Sequence, residues 1–492
     1  MNKSLPDTTP DAPLYRQIYL RFRQSIADGH LKPGDRVPSV RALAAELNLA
    51  RGTVETAYQL LISEGYLLAR GPAGTVVSQL VDAVASAPPI RPTQEPQSAV
   101  VHPGTAPMPL QMGMPALDAF PRKLWNRLAS RTLRQGGLDA LNYPDSHGDL
   151  ALRTALAGYL GISRGINCLP EQIFICAGYR DCLDLICRSL MHKDDHCWFE
   201  DPGYFMAHQF LGEAGMQLVP VPVDSDGLVV QAGIQRAPEA RFAVVTPTHQ
   251  SPLCVSLSLN RRQALLDWAN RQGSWIIEDD YDSEYRYKGR PIPALKSLDE
   301  HGRVLYCGTF SKVLVPGLRL AYLVVPEAQV NRFRKMADDM HNHCPQLWQS
   351  TVATFIEQGH FSRHLKKMRS LYAHRRMLLT NALSARLGTR LSVNLQLGGM
   401  HLCAQLSESL DDQVIAAAAR QAGLGVQALS DWYLTSPTER GLLMSFTNVT
   451  SEAQAAELAE RLARVMDAVG SNVPADIAVY AKIRRSESGI CG

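Results

Sequence analysis

Between Arg122 and Val325 the chain alternates helix-length segments with six short apolar runs, and this alternation restricts the fold more than any other feature of the sequence. The runs are Ile173 to Cys176, Cys197 to Glu200, Phe242 to Thr246, Trp275 to Glu278, Val304 to Cys307 and Leu320 to Val325. Helical segments such as Arg122 to Leu133 and Asp149 to Leu160 precede them. Such a pattern specifies an α/β domain with a mostly parallel sheet, whose ligand sites lie beyond the carboxyl ends of the strands.

Each strand end carries chemistry. Gly178-Tyr179-Arg180 opens a helix after the first run, a backbone arrangement that suits a phosphate. Tyr204 follows the second run and can lie against a flat ring. Thr246-Pro-Thr-His-Gln250 follows the third, and Asp279-Asp280-Tyr281 the fourth. The fifth delivers Thr309, Ser311 and Lys312, with Arg319 just beyond. A lysine so placed suits a site that holds an anion and activates an amine by partial desolvation. Pyridoxal phosphate (PLP) requires this combination: an amine to anchor it, an acid for its ring nitrogen, a hydrogen bonder for its phenolic oxygen, and a phosphate cradle.

The first eighty residues follow a different pattern. Leu14, Ile18, Phe22 and Ile26 mark one face of a helix ending near Asp28-Gly29. Pro33-Gly34 forces a turn, Ser39 caps a helix to Leu47, and a third helix from about Arg51 or Gly52 to Glu64 buries Val54, Ala57, Leu60 and Leu61. Gly65 to Leu68 and Thr75 to Val77 read as a β-wing joined by Arg70-Gly-Pro-Ala-Gly74. The outer side of the third helix carries Arg51, Thr53, Glu55, Thr56 and Gln59, residue types that reach phosphates and base edges.

This stretch resembles the winged-helix domain of the GntR family in Gly34-Asp-Arg-Val-Pro-Ser-Val-Arg41, Thr53-Val54, Glu64-Gly65 and Gly74-Thr75. The resemblance implies that Arg41 and Arg51 bind DNA phosphates, with Thr53 and the Gly74 wing tip close to the DNA. The remainder resembles fold-type-I PLP enzymes of the aspartate aminotransferase class. It resembles still more closely the MocR-type regulators, which fuse such a domain to a GntR winged helix. The marks are Asn142-Tyr-Pro-Asp-Ser-His-Gly148, Glu200 to Tyr204, Thr246 to Gln250, Glu278 to Glu284 and Gly308 to Ala321.

By that resemblance Lys312 forms the Schiff base, Asp279 pairs with the ring nitrogen and Tyr281 bonds the phenolic oxygen. Tyr204 stacks on the ring, while Thr309, Ser311, Arg319 and the Gly178-Tyr179 backbone hold the phosphate. His249 and Asn142 belong to the same motifs and count as cofactor contacts; no metal is implied. The implied protein is a homodimeric, head-to-tail regulator that binds operator DNA and senses an amino acid, an amine or PLP itself. A working aminotransferase with an appended DNA-binding domain is the alternative.

Three departures bear on these readings. Cys254 stands where many such regulators have glycine, so a different loop path is expected there. Arg180 stands where glutamine is common, and it either charges the phosphate cup or points away. An arginine that clamps an effector carboxylate is expected two residues beyond the stacking tyrosine, but that residue is Met206. Arg440 and Arg286 remain as substitutes.

The implied domains are a winged helix at 13–78, a Pro-rich linker at 79–110, the aminotransferase-like domain at 111–470 with a small C-terminal α+β subdomain, and a flexible tail at 471–492. Over the whole chain, 46% hydrophobic and 20% charged residues suit an ordered core. Ten cysteines without metal-ligand spacing, and no long apolar run, suggest free thiols in the cytoplasm.

Overall fold

The computed structural model describes residues 12–80, 107–289, 292–341, 344–407 and 410–471. The chain divides into two compact units between Pro103 and Gly104. Most of the expected linker, 81–106, and of the expected tail, 472–492, lies outside the described residues.

In the N-terminal unit, α1 (Leu14–Ala27), α2 (Val40–Leu47) and α3 (Arg51–Ser63) precede a hairpin of β1 (Leu67–Ala69) and β2 (Thr75–Val77). Ile18, Phe22 and Ile26 of α1 pack on Val54, Ala57 and Leu61 of α3, one helical face against another. Ser39 Oγ accepts the Ala42 N–H at 3.1 Å and so caps α2. Tyr58, rather than Leu60, is the further buried residue of α3; its hydroxyl donates to the Pro38 carbonyl at 2.8 Å.

The larger unit is built on eight strands. These are β3 (Ile173–Cys176), β4 (His196–Asp201), β5 (Gln217–Asp224), β6 (Gly227–Leu228), β7 (Phe242–Val245), β8 (Trp275–Asp280), β9 (Val304–Thr309) and β10 (Ala321–Val324). Their order is β3-β10-β9-β8-β7-β4-β5-β6. Pairings from β9 through β8, β7 and β4 to β5 are parallel. Strand β10 runs antiparallel to both neighbours. Successive residues face opposite layers: Cys197 and Phe199 enter one core and Trp198 the other, where it stacks on Trp268.

A second sheet, β11 (Leu391–Val393), β12 (His401–Leu406), β13 (Gln427–Ala428) and β14 (Gly441–Ser445), is wholly antiparallel in the order β11-β12-β14-β13. The helices His360–Leu387 and Glu452–Ser471 supply apolar residues to the core beneath it. Leu110 is buried in that core and the Pro109 carbonyl accepts the Gly425 N–H at 2.7 Å, so the end of the Pro-rich stretch already packs with this unit. Among the described residues no helix is long and apolar enough to cross a membrane.

Candidate functional site

Strands β8 and β9 lie in parallel register, with Asp279 opposite Cys307 and Asp280 opposite Gly308. Two adjacent acids therefore reach the strand ends together, and their partners separate their roles. Arg164 lies 2.7 Å from Asp280, with both side chains buried, and the Tyr306 hydroxyl donates to Asp280 at 2.7 Å. Asp279 is left facing Lys312. Burial, and next the charge of Asp280, push the Asp279 carboxyl up to about 8. Burial pulls the Lys312 amine down, opposed by Asp279 and Asp282.

Lys312 rides on a short helix, Phe310–Val313, whose start is capped by Thr309 Oγ1 accepting the Ser311 N–H at 3.1 Å. Its Nζ donates to the Gly113 carbonyl at 2.8 Å. A Cβ on Gly113, where φ is +78°, would lie 2.9 Å from that nitrogen, so a larger residue would strain the backbone and make the amine shift.

A candidate anion site lies at the end of β3. Gly178 (φ +121°) precedes the helix Tyr179–Leu190, whose first amides lack intrahelical partners. A Cβ on Gly178 would meet Arg319 Nη2 at 2.8 Å, so a guanidinium and a helix N-terminus converge there. Arg180 points away: it is exposed, 3.5 Å from Glu213 and above the Phe210 ring.

Tyr204 has its ring centroid 6.4 Å from that of Tyr179 and 6.0 Å from that of Trp432. Burial, then the nearby Asp279, raise its hydroxyl to about 12. Tyr281 is held from behind by His249, whose Nδ1 lies 3.0 Å from its hydroxyl, and by the Ser251 side chain. Ser251 escaped the sequence reading; its only signal was its place two residues past His249. Glu200 secures this loop, accepting from Thr246 Oγ1 at 2.6 Å and from Gln250 Nε2 at 3.2 Å. Burial raises the Glu200 carboxyl to about 7.

Asn142 is not drawn into this buried group. It is exposed, and its Oδ1 accepts the Tyr143 N–H. Met206 is also exposed, and Arg440 pairs with Asp411 on the surface. Arg286 lines a pocket with His249, Cys254 and Asp282. The loop at Cys254 keeps the left-handed turn that glycine would make, with φ at +64°, which corrects the expected change of path. Gathered in one place are an amine, an acid without its own arginine, a hydroxyl donor, aromatic rings and an anion cradle that a Cβ would fill. That set fits PLP.

In the N-terminal unit, Arg41, Arg51 and Thr56 are exposed and Thr53 is half-buried. The Thr56 hydroxyl donates to the Gly52 carbonyl at 2.9 Å. The exposed wing tip is Gly71–Ala73, while Gly74 (φ +92°) packs on Arg36: a Cβ there would meet Arg36 Nε at 2.8 Å. Arg36 thus joins the candidate DNA-facing residues.

Residues 118–462 match the family model described as aminotransferase class I and II, and residues 14–77 that of bacterial regulatory proteins, gntR family. The chain is 37% identical to the probable rhizopine catabolism regulatory protein MocR of Rhizobium meliloti, covering 90% of this chain and 92% of that one. It is 32% identical to the pyridoxine biosynthesis transcriptional regulator PdxR of Corynebacterium glutamicum, over 87% and 91% of the two. Among solved structures it is similar to the kynurenine aminotransferase of Pyrococcus horikoshii in complex with PMP. That match has a TM-score of 0.67 and 26% identity, covering 73% of this chain and 90% of that one.

Proposed function

Because the chain belongs to the MocR-type regulators, in which a GntR domain is joined to an aminotransferase class I and II domain, we propose that it is a PLP-dependent transcriptional regulator that senses a small molecule at Lys312. The observation carrying this reading is that the half-buried Lys312 amine and the buried Asp279 carboxyl lie within electrostatic range of each other at adjoining strand ends. PLP, when bound, supplies an aldehyde that an amine can hold covalently and a ring that draws electrons from the attached carbon.

The chain's own residues prepare that site. Desolvation lowers the proton affinity of Lys312 and makes its amine a better nucleophile. Asp279 is poised to hold a proton opposite a ring nitrogen. Arg319 and the Gly178 turn take the phosphate, with Thr309 and Ser311 beside them; Tyr281, braced by His249 and Ser251, takes the phenolic oxygen, and Tyr204 covers the ring. Operator DNA meets Arg41, Arg51, Thr53, Thr56 and the wing, in the cytoplasm.

The working form is a head-to-tail homodimer. Leu138, Leu141 and Tyr143 are exposed beside Asn142, an apolar stretch suited to burial by a second subunit. Asn142 then serves the site of the neighbouring subunit rather than its own.

The effector is an amino acid or amine, or PLP itself. Met206 favours PLP, because a PLP sensor needs no clamp for an amino-acid carboxylate. The test is the absorbance spectrum of the purified protein, with Lys312→Ala beside it, during titration with amino acids and with PLP while operator binding is followed. A lysine-dependent band whose response tracks DNA affinity supports sensing and names the effector class. Absence of the band in the wild type overturns the role of Lys312, and sustained transamination over many turnovers favours the enzyme reading.

A further inference from the structure

Cys254 occupies the left-handed region at φ +64°, a conformation that is unfavourable for any side chain and free for glycine. Strain of this kind persists where the surroundings hold it in place. Those surroundings are unusual for a thiol. Cys254 Sγ lies 3.2 Å from His401 Nε2, and the same Nε2 lies 3.2 Å from the Pro252 carbonyl. The sulfur itself lies 3.5 Å from the Pro252 carbonyl, which can accept its S–H, and the adjacent imidazole is placed to take that proton and leave a thiolate.

Further charges face the same sulfur. The His249 ring lies 5.6 Å from that of His401, with its Nδ1 3.2 Å from buried Asp282, and Arg376 lies within electrostatic range. Burial raises the thiol, but His401 and His249 outweigh it and bring Cys254 down to about 6. Seven other described cysteines are instead raised by burial. Cys254 is only 6% exposed, but it lines a pocket of about 40 Å³ with His249, Asp282 and Arg286, room for a molecule of peroxide size.

We propose that Cys254 is a modification site for small hydroperoxides, with His401 as its proton donor. The thiolate sulfur attacks one peroxide oxygen; an S–O bond forms as the O–O bond breaks. The departing hydroxide takes the proton of the His401 imidazolium and leaves as water (or as an alcohol, from an alkyl hydroperoxide). Sulfur is oxidised to sulfenic acid, the peroxide is reduced, and His401 becomes neutral. The change falls next to His249, which holds Tyr281 at 3.0 Å, so the modified thiol adjoins the cofactor site without belonging to it.

The test uses the full chain carrying Cys491→Ser, treated with hydrogen peroxide and a sulfenic-acid trap, with each cysteine peptide followed by mass. Cys254 should be labelled at least about tenfold faster than the seven burial-raised cysteines, and His401→Gln should slow it about tenfold. Cys254→Gly, whose backbone suits the turn, should lose the early label while remaining folded by circular dichroism. Equal labelling of Cys254 and the other cysteines overturns the proposal, as does an unchanged rate in folded His401→Gln. If His401→Gln does not fold, the wild-type comparison decides alone. Neither cofactor nor DNA enters the experiment, so its failure is distinct from failure of the sensing reading.

Discussion

Arg164 and Asp280 form a buried ion pair at 2.7 Å, and strand alternation puts the neighbouring Asp279 on the opposite face from this pair. With Asp280 held by Arg164, Asp279 is the acid that remains for a ligand. The pair also ties the helix Leu150–Arg164 to the end of β8, since Arg164 donates as well to Thr248 and to the Ile292 carbonyl.

Removing one partner of such a pair leaves a buried charge without compensation. Arg164→Met should destabilise the larger unit by about 3 to 5 kcal/mol in urea unfolding. Adding Asp280→Asn should recover part of that loss, because it removes the stranded charge. A loss below about 1 kcal/mol in the single variant would mean that water reaches the pair.

Gly113→Ala tests the placement of the Lys312 amine. The added Cβ would stand 2.9 Å from Nζ on a backbone at φ +78°. Covalent retention of PLP, read by borohydride reduction and mass, should fall more than about tenfold, whereas the strain alone costs about 1 to 2 kcal/mol of stability. Normal retention would show that the Nζ position against Gly113 is not the one in which Lys312 reacts.

The raised carboxyl of Asp279 predicts a pH dependence. Its folded value of about 8 lies above that of an unfolded aspartate, so between the two the folded state holds the extra proton. Stability of the cofactor-free protein should therefore fall as pH rises toward 8, by about 1.4 kcal/mol per pH unit for this group, and level off above it. Asp279→Asn should remove one proton's worth of that slope. Equal slopes in both proteins, by urea unfolding from pH 6 to 8.5, would place the titration elsewhere.

Cys254 gives a stability prediction independent of its oxidation. Glycine relieves the left-handed strain but loses a buried side chain and gains freedom in the unfolded chain, so Cys254→Gly should change stability by less than about 1 kcal/mol. Cys254→Val adds β-branching at positive φ and should cost at least about 2 kcal/mol. Equal effects in thermal unfolding would mean that the turn relaxes on substitution.

The strands that build the site were legible because each is an apolar run with chemistry at its end. Strand β5 was not: Pro220 and Pro222 remove ladder donors and break the apolar pattern, although parallel pairing with β4 absorbs both. The reversal of β10 was also hidden. Only residues 310–320 separate it from β9, too few for the usual helical crossover, so the chain returns antiparallel. Lys312 and Asp279 were readable from local motifs. The closeness of Cys254 to His401, 147 residues apart, depends on the second sheet docking beside the loop and has no local signature.

The wing supplies the last prediction. Gly74 has φ +92°, and a Cβ there would fall 2.8 Å from Arg36 Nε and 2.9 Å from Nη2. The contact suggests that Gly74 acts by seating the Arg36 guanidinium, itself exposed, rather than by touching DNA. Arg36→Ala and Arg51→Ala should each weaken operator binding and lower the slope of log affinity against log salt by about one, the signature of one lost phosphate contact. Gly74→Ala should weaken binding in the wild type, through both the displaced guanidinium and the strained backbone. In the Arg36→Ala background it should cost clearly less, because only backbone strain remains. Additive losses in that double-mutant cycle would show that Gly74 and Arg36 act separately and that the wing backbone itself approaches the DNA.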